Sequence, residues 1–252
     1  MVFITNQKKI VFTKGLTVAG KTTTAKELEE VLRQTGLDVA LFLSASIKKK
    51  LWGDYYKATY GVPWPDPDYY KNDHPVGNPQ RFRTIYAMCF GYDDGIKRVE
   101  GALDALVTQH KETVILDSTF MEREKRELVY DLARKTDAKV YSIELICQDP
   151  EEIKRRFVER IKKRVKTRSP EFEAAEEIIY SYIQATEIRE IVQGKGIDTD
   201  NFPGLVRIGY DTVQGIANPV VLVSGARDQF ADLLITSLIG LYQRHQINIP
   251  AG

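Results

Sequence analysis

The segment that most limits what this chain can fold into is Gly15-Leu-Thr-Val-Ala-Gly-Lys-Thr22. An apolar run, Lys9–Thr13 (KIVFT), lies just before it. The stretch from Lys21 to Gln34, with Ala25, Leu28, Val31 and Leu32 recurring on one helical face, lies just after it. A strand, a GxxxxGKT loop and a helix in that order read as a P-loop. The glycines let backbone N–H groups turn inward around phosphate oxygens, and the helix start adds its positive dipole end. Lys21 is placed to neutralise the β and γ oxygens. The Thr22 hydroxyl suits Mg²⁺, which prefers oxygen ligands and bridges those phosphates. The ligands expected are therefore ATP and Mg²⁺.

Around this unit, strand-like runs alternate with helix-period segments, which predicts a parallel sheet covered on both faces. The predicted strands are Lys9 to Thr13, Asp38 to Ser44, Thr113 to Asp117, Lys139 to Ile146 and Leu205 to Ile208. Helical patterns cover Lys21 to Gln34, a stretch with Ile96, Val99, Leu103, Leu106 and Val107, the segments 122–135, 150–165 and 171–192, and Asp228 to Arg244. Gly36 sits where the first helix should stop. The fold class expected is α/β, a P-loop NTPase-type three-layer sandwich with a mainly parallel sheet. No repeat or long Gly/Ser linker divides the chain, so one domain over 1–252 is expected. It would carry an irregular insertion at about 51–81, rich in Pro, Tyr and Trp, and a basic lid at about 154–170. The insertion reads as a surface flap or as a wall of the substrate pocket.

Composition narrows the function classes. Among 252 residues, 36 Lys+Arg against 35 Asp+Glu give a net charge of +1, so no global field draws the chain onto nucleic acid or an anionic membrane. Any anion recognition must be local. Two cysteines, Cys89 and Cys147, supply no disulfide framework, and His74, His110 and His245 are scattered without ligand spacing. No apolar run approaches the ~20 residues of a bilayer span. The opening MVFITNQKKI is too weakly apolar to read as a signal peptide, and a cytoplasmic location is expected.

The predicted strand Thr113 to Asp117 ends in one acid, where a motor-type ATPase needs two, and the chain has no NKxD-like guanine motif. Both features favour transfer to a bound hydroxyl over hydrolysis. Ligands sit beyond the carboxyl ends of such strands, so Asp117 should share a crevice with the loop. There it would accept or orient the acceptor's proton, and with Thr22 it forms the candidate metal pair; alternatively it caps the next helix. Asp93 and Asp94 before Gly95 read as a helix break with solvated acids. The run from Lys154 to Arg168 is dense in Lys and Arg, which suits either a solvated helix face or a cationic lid over the triphosphate.

These residues resemble the kinase domain of 6-phosphofructo-2-kinase. Asp117-Ser-Thr-Phe-Met-Glu-Arg-Glu-Lys-Arg126 is similar to that family's DATNTTRERR, Ile143 to Pro150 to its IESVCDDP, and Lys166 to Phe172 to its KxSSPDY. Order and spacing agree with the loop over most of residues 9–192, and the family's phosphatase half has no counterpart. The resemblance implies ATP phosphates over Gly15, Val18, Ala19, Gly20, Lys21, Thr22 and Thr23, with Lys166 reaching them. It implies catalysis near Lys21 and Asp117, and Thr119 and Arg123 facing the acceptor. Lys48 and Lys49 fall where the family has paired arginines. Tyr182 and Thr186 stand where its sugar-phosphate Arg and Tyr stand, a departure that alters the anion site.

The function expected is transfer of the ATP γ-phosphate to a hydroxyl of a small, anionic metabolite, with a sugar phosphate as the first guess. A kinase acting on a nucleic-acid end or a tRNA-attached group is the rival enzyme. An ATP-driven switch that presents the insertion to a partner is the rival of another class.

Overall fold

A computed structural model describes residues 7–15, 20–61, 92–118, 123–146, 202–211 and 227–247. Their elements are β1 (Lys9–Gly15), α1 (Lys21–Gln34), β2 (Val39–Leu43), α2 (Ser44–Tyr60), α3 (Tyr92–Val107), β3 (Thr113–Asp117), α4 (Arg123–Thr136), β4 (Lys139–Ile146), β5 (Val206–Asp211) and α5 (Gln229–Ile247). The five strands form one sheet in the order β2-β3-β1-β4-β5, and every pairing is parallel. This is the P-loop NTPase-like arrangement expected, with β1 in the centre.

Strand alternation assigns the two faces of this sheet. Ile10, Phe12, Val114, Leu116 and Val140 pack with Ala102, Ala105 and Leu106 of α3 and with Val129, Tyr130 and Leu132 of α4. The neighbouring positions point the other way: Tyr141 meets Phe230 of α5 edge to face, and α1 packs beside α5. Helix α1 buries Ala25, Leu28 and Leu32 along its expected stripe, and full burial of each leucine contributes roughly 1.5–3 kcal/mol. It ends at Gln34 with Thr35 as its C-cap, and Gly36 at φ +88° turns the chain away.

Three local expectations need correction. Residues 51–60 are not irregular: they continue α2, whose Trp, Tyr and Lys spacing lacks a strong apolar stripe and so hides a helix from pattern reading. Gly95 does not break α3, which runs through it; a Cβ there would come within 3.3 Å of Leu128, so the glycine serves packing against α4. The α3 face departs from the expected stripe at one position: Val99 and Leu103 pack against the core as expected, but Val107 does not. Ala102, Ala105 and Leu106 are inside while Val107 is 47% exposed.

The chain divides into two compact units. The first comprises 1–44, 95–153 and 201–252 and contains the sheet. The second comprises 45–94 and 154–200, and its described residues, apart from Gly61, lie in α2 and at the start of α3. The expected basic lid at 154–170, and the insertion beyond residue 61, lie outside the described residues.

Candidate active site at the carboxyl edge of the sheet

The site is built where β1 and β3 end side by side. Their register pairs Thr13 with Asp117, which places both side chains on the α1 face of the sheet. Gly15 then leaves β1 with φ +146°, and a Cβ at this position would stand 2.4 Å from the carbonyl oxygen of Leu145. Only glycine allows the strand to run this close to β4 while beginning the turn. Gly20 closes the loop at φ 90°, ψ 8°, a left-handed conformation that glycine adopts without strain. Its carbonyl accepts the first helical hydrogen bond, from Thr24 N–H at 2.9 Å. No side chain caps α1, and its first turn contains no acid, so its N-terminus is left favourable for an anion.

Asp117 is 2% exposed and accepts at both carboxylate oxygens. The Thr13 hydroxyl donates to Oδ1 at 3.1 Å, and the Thr22 hydroxyl donates to Oδ2 at 2.7 Å. The backbone carbonyl of the same residue accepts from Arg98 Nη1 at 3.1 Å, and Arg98 is itself 1% exposed. Among the described residues the Asp117 carboxylate is engaged by β1 and α1 rather than by the following helix. Lys21 is buried in the first turn of α1, and Thr23 is exposed.

Of the other expected residues, Arg123 opens α4 with a side chain 75% exposed and Glu127 3.6 Å away. Arg126, one turn on, is buried. Lys48 and Lys49 lie after the end of β2, on the part of α2 that belongs to the second unit. Val18, Ala19, Thr119, Lys166, Tyr182 and Thr186 lie outside the described residues. No group of three His, Cys, Asp or Glu side chains suited to a metal occurs among the described residues. The oxygen pair of Thr22 and Asp117 is still a donor set that fits Mg²⁺, a hard cation that keeps several waters and takes few protein ligands.

Residues 10–187 match the model of a protein family described as an AAA domain. The chain belongs to that family. It is also 23% identical over 185 residues to the 6-phosphofructo-2-kinase/fructose-2,6-bisphosphatase of Gallus gallus, a match covering 73% of this chain and 34% of that protein. The chain thus spans about a third of the length of that relative. Similar solved structures include a protein of Chloroflexus aurantiacus (14% identity, 96% of this chain and 98% of the other, TM-score 0.49). They also include a gluconokinase from Sinorhizobium meliloti (11% identity, 96% and 97%, TM-score 0.37).

Sequence reasoning alone overlooked Thr13 and Arg98. A threonine near the end of a strand is unremarkable until the register brings it to Asp117. Arg98 did carry a signal: it lies four and seven residues before Ala102 and Ala105, on the buried stripe of α3, where an arginine needs polar partners. No helix among the described residues is long and apolar enough to cross a membrane.

Proposed function

We propose that this AAA-family chain is an ATP-dependent phosphotransferase that moves the γ-phosphate to a hydroxyl of a small, anionic metabolite. The observation that carries the reading is the 2.7 Å bond from Thr22 to Asp117, which ties the first turn after the phosphate loop to the end of β3. It puts a carboxylate and a loop hydroxyl together beside an uncapped helix N-terminus, the arrangement that phosphoryl transfer needs. The loop and the α1 N-terminus bind the phosphates, and Lys21 neutralises charge that develops on the transferred group. Asp117 holds the Thr22 hydroxyl in line and is placed at the strand edge where an acceptor hydroxyl would meet the nucleotide. Mg²⁺, held by Thr22 and Asp117, would screen the phosphate charges. Lys166 would complete the cationic surround from the basic segment.

The likeness to the kinase part of the avian bifunctional enzyme supports a sugar phosphate as the first acceptor class to try. The acceptor's anionic group needs a cation. Lys48, Lys49 and Arg123 remain candidates, with Thr119, Tyr182 and Thr186 supplying hydroxyls. Arg126 joins them as the cation that the first turn of α4 carries into the interior. The reading is tested by measuring ATP consumption by purified protein against sugar phosphates, other phosphorylated metabolites, nucleosides and short RNAs. Stimulation by a phosphorylated small molecule is expected. Stimulation by RNA alone, or hydrolysis indifferent to any acceptor, overturns it.

A further inference from the structure

We infer that Thr13 is a positioning residue for the metal side of this site: its hydroxyl fixes the plane of the Asp117 carboxylate, so that Asp117 keeps the Thr22 hydroxyl aligned for a Mg²⁺–nucleotide. The inference rests on the functional reading above and adds a residue that the loop motif does not contain.

Geometry carries it. A carboxylate ion only accepts hydrogen bonds, and this one accepts from two elements at once, β1 through Thr13 and α1 through Thr22, each on a different oxygen. With Thr22 alone, one bond would oppose rotation of the carboxylate about its Cβ–Cγ bond. With Thr13 on the other oxygen, rotation breaks both bonds. The proton of Thr22 is thereby committed to Asp117, which leaves the hydroxyl's lone pairs available to a metal.

Packing does not explain the threonine. Thr13 is fully buried in a central strand, where valine has the same shape and at least as good a strand preference. Two other buried hydroxyls of the sheet, Thr113 Oγ1 and Ser142 Oγ, have no hydrogen-bond partner among the described residues, so burial there does not by itself recruit one. The Thr13 hydroxyl does have one, and it is the acid at the strand end. Groups that orient a metal ligand from behind influence affinity strongly, commonly by ~10–100-fold.

The test compares wild type, Thr13→Val and Thr13→Ser by the affinity for a fluorescent ADP analogue, measured with and without Mg²⁺, alongside thermal melting. Wild type should bind more tightly with Mg²⁺. Thr13→Val should lose about tenfold of that Mg²⁺-dependent gain while its affinity without Mg²⁺ hardly changes, and Thr13→Ser should restore it. A purely structural threonine would lower the melting temperature of Thr13→Val and leave the Mg²⁺ gain intact, and that result overturns the inference. So does a Thr13→Ser protein that behaves like Thr13→Val. If Thr13→Val does not fold, Thr13→Ser and Thr13→Cys decide: retention of the full gain by the serine and its loss by the cysteine supports the role, and equal gains in both overturn it. A wild-type protein with no Mg²⁺-dependent nucleotide binding would sink the functional reading itself, whereas a normal wild-type response with an unchanged valine variant would sink only the role of Thr13.

Discussion

Two aspartates at opposite edges of one sheet each accept hydrogen bonds on both carboxylate oxygens, yet they are built for different ends. Asp228, at the amino edge, accepts from Lys139 Nζ at 2.7 Å and Tyr141 Oη at 2.8 Å on one oxygen. On the other it accepts from Ala231 N–H at 2.8 Å, capping α5. Burial alone would raise its pKa, but the bonds from Lys139, Ala231 and Tyr141 outweigh it and hold the carboxyl below the usual carboxylate range. Its charge is answered by an ammonium and a helix N-terminus. Asp117, at the carboxyl edge, is more deeply buried, and the hydrogen-bonding partners of its carboxylate among the described residues are two neutral hydroxyls. A buried carboxylate whose hydrogen-bond donors among the described residues are two hydroxyls is suited to a cation as a further partner. The amino edge is finished as structure, and the carboxyl edge is where the proposed ligand would add the missing charge.

The largest expected effect comes from the carboxyl edge. Lys21→Ala should lower kcat/KM by roughly 10³-fold or more and weaken nucleotide binding, because the developing γ-phosphate charge loses its ammonium. Wild-type turnover in that variant would remove the loop from the mechanism. Asp117→Asn keeps the shape and removes the charge. It should cost about 10²-fold in kcat with little change in melting temperature, as measured by steady-state kinetics and calorimetry. A loss of stability with kcat intact would make the two aspartates alike.

The amino edge should show the reverse. Asp228→Ala should leave kcat near wild type and lower stability by about 1–2 kcal/mol in denaturant titrations, through loss of the cap and of a partly exposed ion pair. Asp228→Asn retains a cap oxygen and should instead change pH dependence. The folded-state pKa of Asp228 lies below its unfolded value, so the unfolded chain binds the proton more readily as pH falls. The stability it contributes is present above the ordinary carboxylate range and is lost as pH falls through the folded value. Melting curves of Asp228→Asn should therefore be flatter than wild type on the acid side.

The smallest effect concerns two buried tyrosines. Burial, with Glu27 and Tyr242 nearby, pushes the Tyr210 phenol up to about 12. Burial and then the bond to Asp228 raise Tyr141. Spectrophotometric titration of Asp228→Asn should bring Tyr141 back toward the ordinary phenol range and leave Tyr210 where it is. A movement of both would show that the two edges are coupled.

The loop motif was legible in the chain because it is local. Gly15, Gly20, Lys21 and Thr22 are held in place by one strand end and one helix start, and the short apolar runs with their turn residues sufficed to foresee a parallel sheet with helices on both faces. Helix α2 was hidden because its apolar residues do not recur on one face, so no period marks it. The meeting of Thr13 with Asp117, 104 residues apart, depends on the register of β1 against β3, and no single-strand pattern encodes that register. The same holds for Arg98, which reads as a charge on a helix until α3 packs against the sheet and its guanidinium reaches the Asp117 carbonyl. Sequence alone determined the loop motif and the alternation of elements, because both are written in neighbouring residues. Which side chains surround the acid, and with what charge, was decided only when parallel pairing brought distant strand ends together.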